Sequence, residues 1–368
     1  MNLNPDGNLI INFPLLRRFE PLLIAASILL LAGTAEPGWA AQLEPSYKAE
    51  LIFKPTLRFP RTHSASIAAL PDGGLIAAWW NGSEEGGLDL VIRSARRLEG
   101  NDYWEEPRVV ADTPDTTEGN PVLFPVSGNE IWLIYRSGLP FVKINLKKSR
   151  DGGRTWSAPE ILVGEPGWSS RSRIIRLANG DIIIPIMKHE HSAFLYTSNE
   201  GKTWKRSKPV ITPTRNNEPT VAQRRDGSLL CYMRCYDQKA EERFLWQAES
   251  FDNGRSWSEP SRTKIRNPSS AIELLALDNG HFVLVFNDTQ TNRSSLCLAL
   301  SLDEGRTWKY QRTLEDAPGR FSYPMLTQTP EGLIHVSYTF RRTSIKHVEV
   351  NEAWIMEEQL HPGETGGE

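Results

Sequence analysis

Six short apolar runs recur along the chain: Leu75–Trp80, Ile131–Tyr135, Ile182–Met187, Leu229–Met233, His281–Phe286 and Leu333–Tyr338. Each follows a tight polar turn: Pro71-Asp72-Gly73, Ser127-Gly128-Asn129, Ala178-Asn179-Gly180, Arg225-Asp226-Gly227, Asp278-Asn279-Gly280 and Pro330-Glu331-Gly332. Asn-Gly and Asp-Gly suit hairpin turns because both central residues tolerate positive φ. Runs of five or six residues, rich in Ile, Val, Leu and aromatics, read as strands. No long helical periodicity interrupts them. Six turns followed by six runs predict an all-β chain, a six-bladed β-propeller.

A second repeat runs in phase with the first. Ser149-Arg150-Asp151-Gly152-Gly153-Arg154-Thr155-Trp156 recurs in altered form at Thr197 to Trp204, Ser250 to Trp257 and Ser301 to Trp308, with Asn199 where the others carry Asp151, Asp252 and Asp303. A decayed copy, Asn101-Asp102-Tyr103-Trp104-Glu105-Glu106-Pro107, keeps the Trp and the trailing Pro. Trp104, Trp156, Trp204, Trp257 and Trp308 step by 52, 48, 53 and 51 residues. So regular a period means one supersecondary unit copied along the chain. These aspartates read as turn formers on the blade rims, since a carboxylate accepting backbone N–H bonds explains them without catalysis.

Length and composition sharpen the picture. Arg17-Arg18, an apolar Leu22–Ala32 and the small-x-small Gly38-Trp39-Ala40 predict an export signal over residues 1–40, cut near Ala40 to give a periplasmic or extracellular protein. The apolar run is too short to span a bilayer comfortably, so no stable membrane span is expected after cleavage. Residues 41–368 then form the propeller. A net charge of −3 with mixed signs argues against nucleic acid. Three cysteines, Cys231, Cys235 and Cys297, make no disulfide framework and read as buried thiols.

A propeller gathers the ends of its inner strands around one axial pocket. The strand ends here carry Trp80-Asn81, Arg136, Lys188, Arg234, Asn287-Asp288 and Phe340-Arg341, with Glu84-Glu85, His189-Glu190-His191 and Arg293 just beyond. Such a ring of cations and carboxylates suits an anionic or heavily hydroxylated ligand. His189 and His191 would face the same way along one strand with Glu190 between them. No third ligand accompanies them, so neither metal nor cofactor is expected.

The repeated turns, with the order and spacing of these other residues, resemble the sialidase (exo-α-neuraminidase) superfamily in its bacterial BNR, or Asp-box, branch over residues 55–350. The resemblance implies a glycan or glycoconjugate substrate and a retaining hydrolase with a Tyr nucleophile. A neutral nucleophile avoids repulsion by a carboxylate on the anomeric carbon, but a phenol is weak near neutral pH and needs an adjacent base. On this resemblance Tyr323, in Phe321-Ser322-Tyr323-Pro324, matches the nucleophile and Glu218, in Asn217-Glu218-Pro219, its paired carboxylate. Arg234 and Arg293 match two arginines that clamp the substrate carboxylate. Their first-blade counterpart falls on His63, with Arg61 two residues away, and the acid/base on Glu84 or Glu85. Arg136, Lys188 and Glu190 are expected to line the pocket. Three functions stay open: a hydrolase of a terminal acidic sugar, a carbohydrate-binding propeller without turnover, and a propeller glycosidase or lyase acting on a uronic or deoxy sugar.

Overall fold

Each turn–run pair folds as the inner hairpin of an antiparallel sheet, and the six sheets are the six blades of a propeller. The computed structural model describes residues 44–57, 60–138 and 142–357; the expected export signal lies outside them. The observed second strands, Leu75–Gly82, Glu130–Ser137, Ile182–Lys188, Leu229–Cys235, Phe282–Phe286 and Ile334–Phe340, cover the expected runs with small shifts at their ends. Three of them, Leu75–Gly82, Leu229–Cys235 and Phe282–Phe286, are buried along their whole length. A strand packed between neighbouring blades has two covered faces, which is why these runs are continuously apolar instead of alternating. Five blades have four strands; in the third, the innermost strand is broken into Trp168–Ser170 and Ile175–Arg176, both paired with Ile182–Lys188. The three cysteines are buried free thiols. No helix among the described residues is long and apolar enough to cross a membrane.

The ring is closed by the chain's own beginning. Tyr47–Leu51 pairs antiparallel with Ser344–Val350 and becomes the outermost strand of the sixth blade. An apolar cluster of Ala65, Ala77, Trp79, Ala95 and Ile345 then joins the first blade to the sixth. Above it runs a polar relay: His335 Nδ1 to His347 Nε2 at 3.0 Å, His347 Nδ1 to Glu50 at 3.1 Å, and Trp104 Nε1 to Glu50 at 2.9 Å. The decayed repeat has therefore kept its Trp to serve this seam. Burial, reinforced by His347 and Arg97, pushes His335 down to about 2. A histidine held neutral in the fold stabilises fully above its unfolded pKa near 6.5, and that stability is lost as pH falls below it. His335 alone should cost about 1.4 kcal/mol at pH 5.5. Urea unfolding should show a lower midpoint at pH 5.5 than at 7.5, with a smaller difference in His335→Asn; an equal difference in the two proteins would remove His335 from the seam's pH response.

The Trp-containing turns act as spacers between blades. Asp151 Oδ1 accepts the backbone N–H groups of Arg154 and Thr155 at 3.0 and 2.9 Å, and Ser149 Oγ accepts that of Gly153 at 2.8 Å. The closed turn is pressed onto the preceding blade, where Trp257 stacks on Phe194 at 4.1 Å and Trp308 Nε1 donates to the Tyr232 hydroxyl at 3.1 Å. Gly254 shows why glycine is needed: its φ is +79°, and a Cβ there would lie 2.8 Å from Ile183 Cδ1 of the third blade. Gly254→Ala combines backbone strain with overpacking and should cost about 2–4 kcal/mol, read as a lowered thermal midpoint.

Candidate active site

Pairing along the innermost strands breaks at one register in four blades, at His63/Ser66, Gly119/Val122, Asn217/Thr220 and Ser322/Met325. At each break one residue takes a left-handed conformation: Ser64 at φ 61°, Asn120 at 48°, Glu218 at 48° and Tyr323 at 56°. Ser269 does the same at 57° before the short inner strand of the fifth blade. An extra residue in a strand re-aims a side chain, and here hydrogen bonds from this register join neighbouring blades. Ser64 Oγ donates to Asn120 Oδ1 at 3.1 Å, Asn120 Nδ2 to Ser169 Oγ at 3.3 Å, and Arg234 Nε to Ser269 Oγ at 3.3 Å. Left-handed Glu, Asn and Tyr cost on the order of 1–3 kcal/mol each, strain that concentrates at functional sites.

Tyr323 and Glu218 come together there, although 105 residues separate them in the sequence. Arg234 Nη1 donates both to Glu218 Oε2 at 2.8 Å and to the Tyr323 hydroxyl at 3.3 Å, so one guanidinium nitrogen joins the carboxylate and the phenol. Arg234 is opposite Asn217 in the ladder, the neighbour of Glu218, which is why strand pairing alone sets that contact. Burial and the Glu218 charge push the phenol up to about 12 against the pull of Arg234 and Arg293, so it is neutral at physiological pH. Burial opposes ionisation of Glu218, yet Arg234, Arg171 and the hydrogen bonds from Arg234 and Tyr323 outweigh it and hold the carboxyl below its usual range.

Arg293 stands 5.8 Å over the Tyr323 ring and donates to the Ser269 carbonyl at 2.6 Å. With Arg234, Ser269 and Asn292 it lines a cleft of about 470 Å³ beside the phenol. His63 packs its ring 4.0 Å from that of Tyr323, with Nδ1 2.9 Å from Thr339 Oγ1. Burial, together with Arg342, Arg293, Arg171 and Arg320, drives its pKa well below the ordinary value. Where the resemblance implies a permanent cation, the first blade therefore supplies a neutral ring. Arg61 is exposed and lines a second, larger cleft of about 740 Å³ together with Trp80, Glu84, Glu85, Arg320, Arg341 and Arg342. Gly319 and Arg320 belong to both clefts. Glu85 is paired with Arg342 at 2.6 Å; among the described residues Glu84 has no ion-pair partner.

The remaining expected residues divide. Arg136 lines a third cleft, of about 340 Å³, with Asn120, Ser169, Asn217 and Tyr236. Lys188 is instead committed to Glu165 at 2.8 Å and lies over the Trp168 ring, and Glu190 is exposed; neither lines these three clefts. The expectation that His189 and His191 share one strand is corrected. The strand ends at Lys188 and its partner begins at His191, so residues 189–190 form the hairpin turn, with His189 at φ 38°. His191 packs edge-on against Trp168. Among the described residues no group of three or more His, Cys, Asp or Glu side chains is arranged to hold a metal.

Two features have roles that the sequence left unassigned. Arg171, fully buried, lies 5.2 Å from the Tyr323 ring, donates to the Ile272 and Pro324 carbonyls and pairs with the buried Glu273 at 3.7 Å. It enters where the third blade's inner strand is broken. Arg320 and Arg342 reach the site from the sixth blade, from loops whose path no periodicity predicts. The register break itself had a signal: Asn120-Pro121, Glu218-Pro219 and Tyr323-Pro324 stand at equal distances before their turns, and Pro in an inner strand marks a bulge.

Comparison with known proteins agrees with this architecture. The model of the BNR repeat-like domain matches residues 73–336. A sialidase of Bacteroides fragilis is 25% identical over 75% of this chain and 58% of its own length, and a sialidase of Micromonospora viridifaciens is 24% identical over 81% and 52%. The chain thus spans about half the length of these relatives. Among solved structures, a Hadza microbial sialidase superposes with a TM-score of 0.70 at 20% identity, covering 81% of this chain and 67% of that one.

Proposed function

The chain belongs to the BNR repeat-like domain family, with a sialidase-like propeller, and from that premise we propose that it is a retaining glycoside hydrolase for a terminal acidic sugar, an exo-α-sialidase type of enzyme. The observation that carries the reading is the Tyr323 phenol held between the Glu218 carboxylate and the Arg234 guanidinium. The sugar's carboxylate would lie against Arg234 and Arg293, whose planar forks match a carboxylate bidentately. That places the anomeric carbon beside a nucleophile with no charge of its own to repel it.

The wide gap between a phenol near 12 and a depressed Glu218 means the phenol is not ionised beforehand. Its proton passes to Glu218 as the Tyr323 oxygen bonds to the anomeric carbon. The bond to the leaving oxygen breaks in the same step, and that oxygen takes a proton from Glu84 or Glu85. Of the two, Glu84 is the freer to reach that oxygen, because the Glu85 carboxylate is held by Arg342 at 2.6 Å. Water, deprotonated by the same carboxylate, then attacks the anomeric carbon and returns the phenol with its proton. Two displacements give retention. The leader of residues 1–40 supports export of this activity.

Turnover of a panel of fluorogenic glycosides tests the reading: sialosides, uronides and neutral deoxyglycosides at equal concentration. Release from the sialoside alone, or from it foremost, is expected. Saturable sugar binding without release from any of them would favour the carbohydrate-binding reading, which the neutral His63 motivates.

A further inference from the structure

The larger cleft carries a charge pattern that hydrolysis of an isolated acidic sugar does not need. Four arginines line it, Arg61, Arg320, Arg341 and Arg342, against two carboxylates, Glu84 and Glu85. One of those carboxylates is already matched by Arg342. The excess positive charge is built in by the backbone. Arg341 and Arg342 form the tip of the last hairpin, closed by Thr343 N to the Phe340 carbonyl at 3.1 Å, and both have positive φ, 52° and 63°. Turns with two such residues favour Asn and Gly, and any other residue there is strained. Two successive arginines in that conformation are poor turn formers, so their value lies in their side chains, which face the cleft. The Arg341 N–H donates to the Arg320 carbonyl at 2.9 Å, fixing the two arginine-bearing loops side by side.

The chemistry of the proposed reaction says what enters there. A general acid must touch the leaving oxygen, so the group beyond that oxygen lies on the acid's side. Glu84 and Glu85 belong to the larger cleft, whereas Arg234 and Arg293, which would hold the sugar's own carboxylate, belong to the smaller one across the shared Gly319–Arg320 wall. We infer that the aglycone is itself anionic: the preferred substrate is an acidic sugar linked to a second sugar that bears a carboxylate or a sulfate. This inference rests on the assignment of Glu84 or Glu85 as acid. Guanidinium groups recognise both anions by paired charge-assisted hydrogen bonds.

Binding separates this inference from the catalytic reading. Tyr323→Phe protein, which retains the cleft, is titrated calorimetrically with three sialosides that share linkage and differ only in the aglycone: galactose, galactose 6-sulfate and galacturonate. At least one anionic aglycone should bind roughly tenfold more tightly than galactose, the advantage shrinking in high salt. In the Arg61→Gln/Arg341→Gln double variant of the same protein the ratio should fall toward one. Sulfate and carboxylate arms tell which anion is meant. Equal binding of all three, or a preference that survives the double substitution, overturns the inference. Failure of wild-type protein to turn over any sialoside strikes the catalytic reading and leaves this ratio measurable.

Discussion

Tyr323→Phe should lower kcat/KM on an acidic glycoside by about 10³- to 10⁵-fold, the scale on which loss of a nucleophile acting within a concerted unit is felt. KM should change little, because Arg234 and Arg293, and with them the cleft proposed to hold the sugar carboxylate, stay in place. The fold should tolerate the change. Phe fills the same space against His63 and Arg171, and the Glu218–Arg234 ion pair at 2.8 Å remains. The lost phenol hydrogen bonds are worth about 1 kcal/mol. Activity within threefold of wild type in a normally melting protein would remove the phenol from the chemistry.

Glu218 should give a different pattern, because its carboxylate is the counter-ion of Arg234 and, in the proposed reaction, also the base. Glu218→Gln keeps the shape and a hydrogen-bond acceptor for Arg234, so stability falls modestly while kcat falls by about 10²- to 10⁴-fold, the range for a general base. Glu218→Ala strands a guanidinium that is only 8% exposed. Removing one partner of a buried pair costs about 3–5 kcal/mol, so this variant should also melt well below wild type. Equal melting of the Ala and Gln variants would show that Arg234 does not depend on Glu218. Without a base or a negative partner, the phenol should in both variants titrate lower than its about 12, since the Glu218 charge raises it.

The architecture was legible because it is periodic. Hairpin turns at fixed intervals, buried second strands and the Trp-bearing turns each repeat, and each has a local physical cause, as at Asp151 and Gly254. The pairing of Arg234 with Glu218 was equally local: sixteen residues apart, they lie on neighbouring strands of one hairpin. The roles that stayed unassigned have no period. Arg171 reaches Tyr323 only because the third blade breaks its inner strand, and Arg320 and Arg342 come from loops. The state of His63 depends on arginines from the third, fifth and sixth blades, so its neutrality is a property of the closed ring and of no segment by itself. Lys188 shows the opposite error: a cation at the right register, Trp168 opposite it in the ladder, is drawn outward by Glu165.

The most direct measurement is to trap the bond between sugar and enzyme. A sialosyl fluoride carrying a second fluorine beside the anomeric centre slows both displacements while leaving a good leaving group, so the glycosyl-enzyme accumulates. After brief incubation, intact mass should rise by one sugar residue, and peptide mapping should place it on the Tyr323 oxygen, with no adduct in Tyr323→Phe. An adduct on Glu218, Glu84 or Glu85, or fluoride release with no adduct in the native enzyme, would contradict the account.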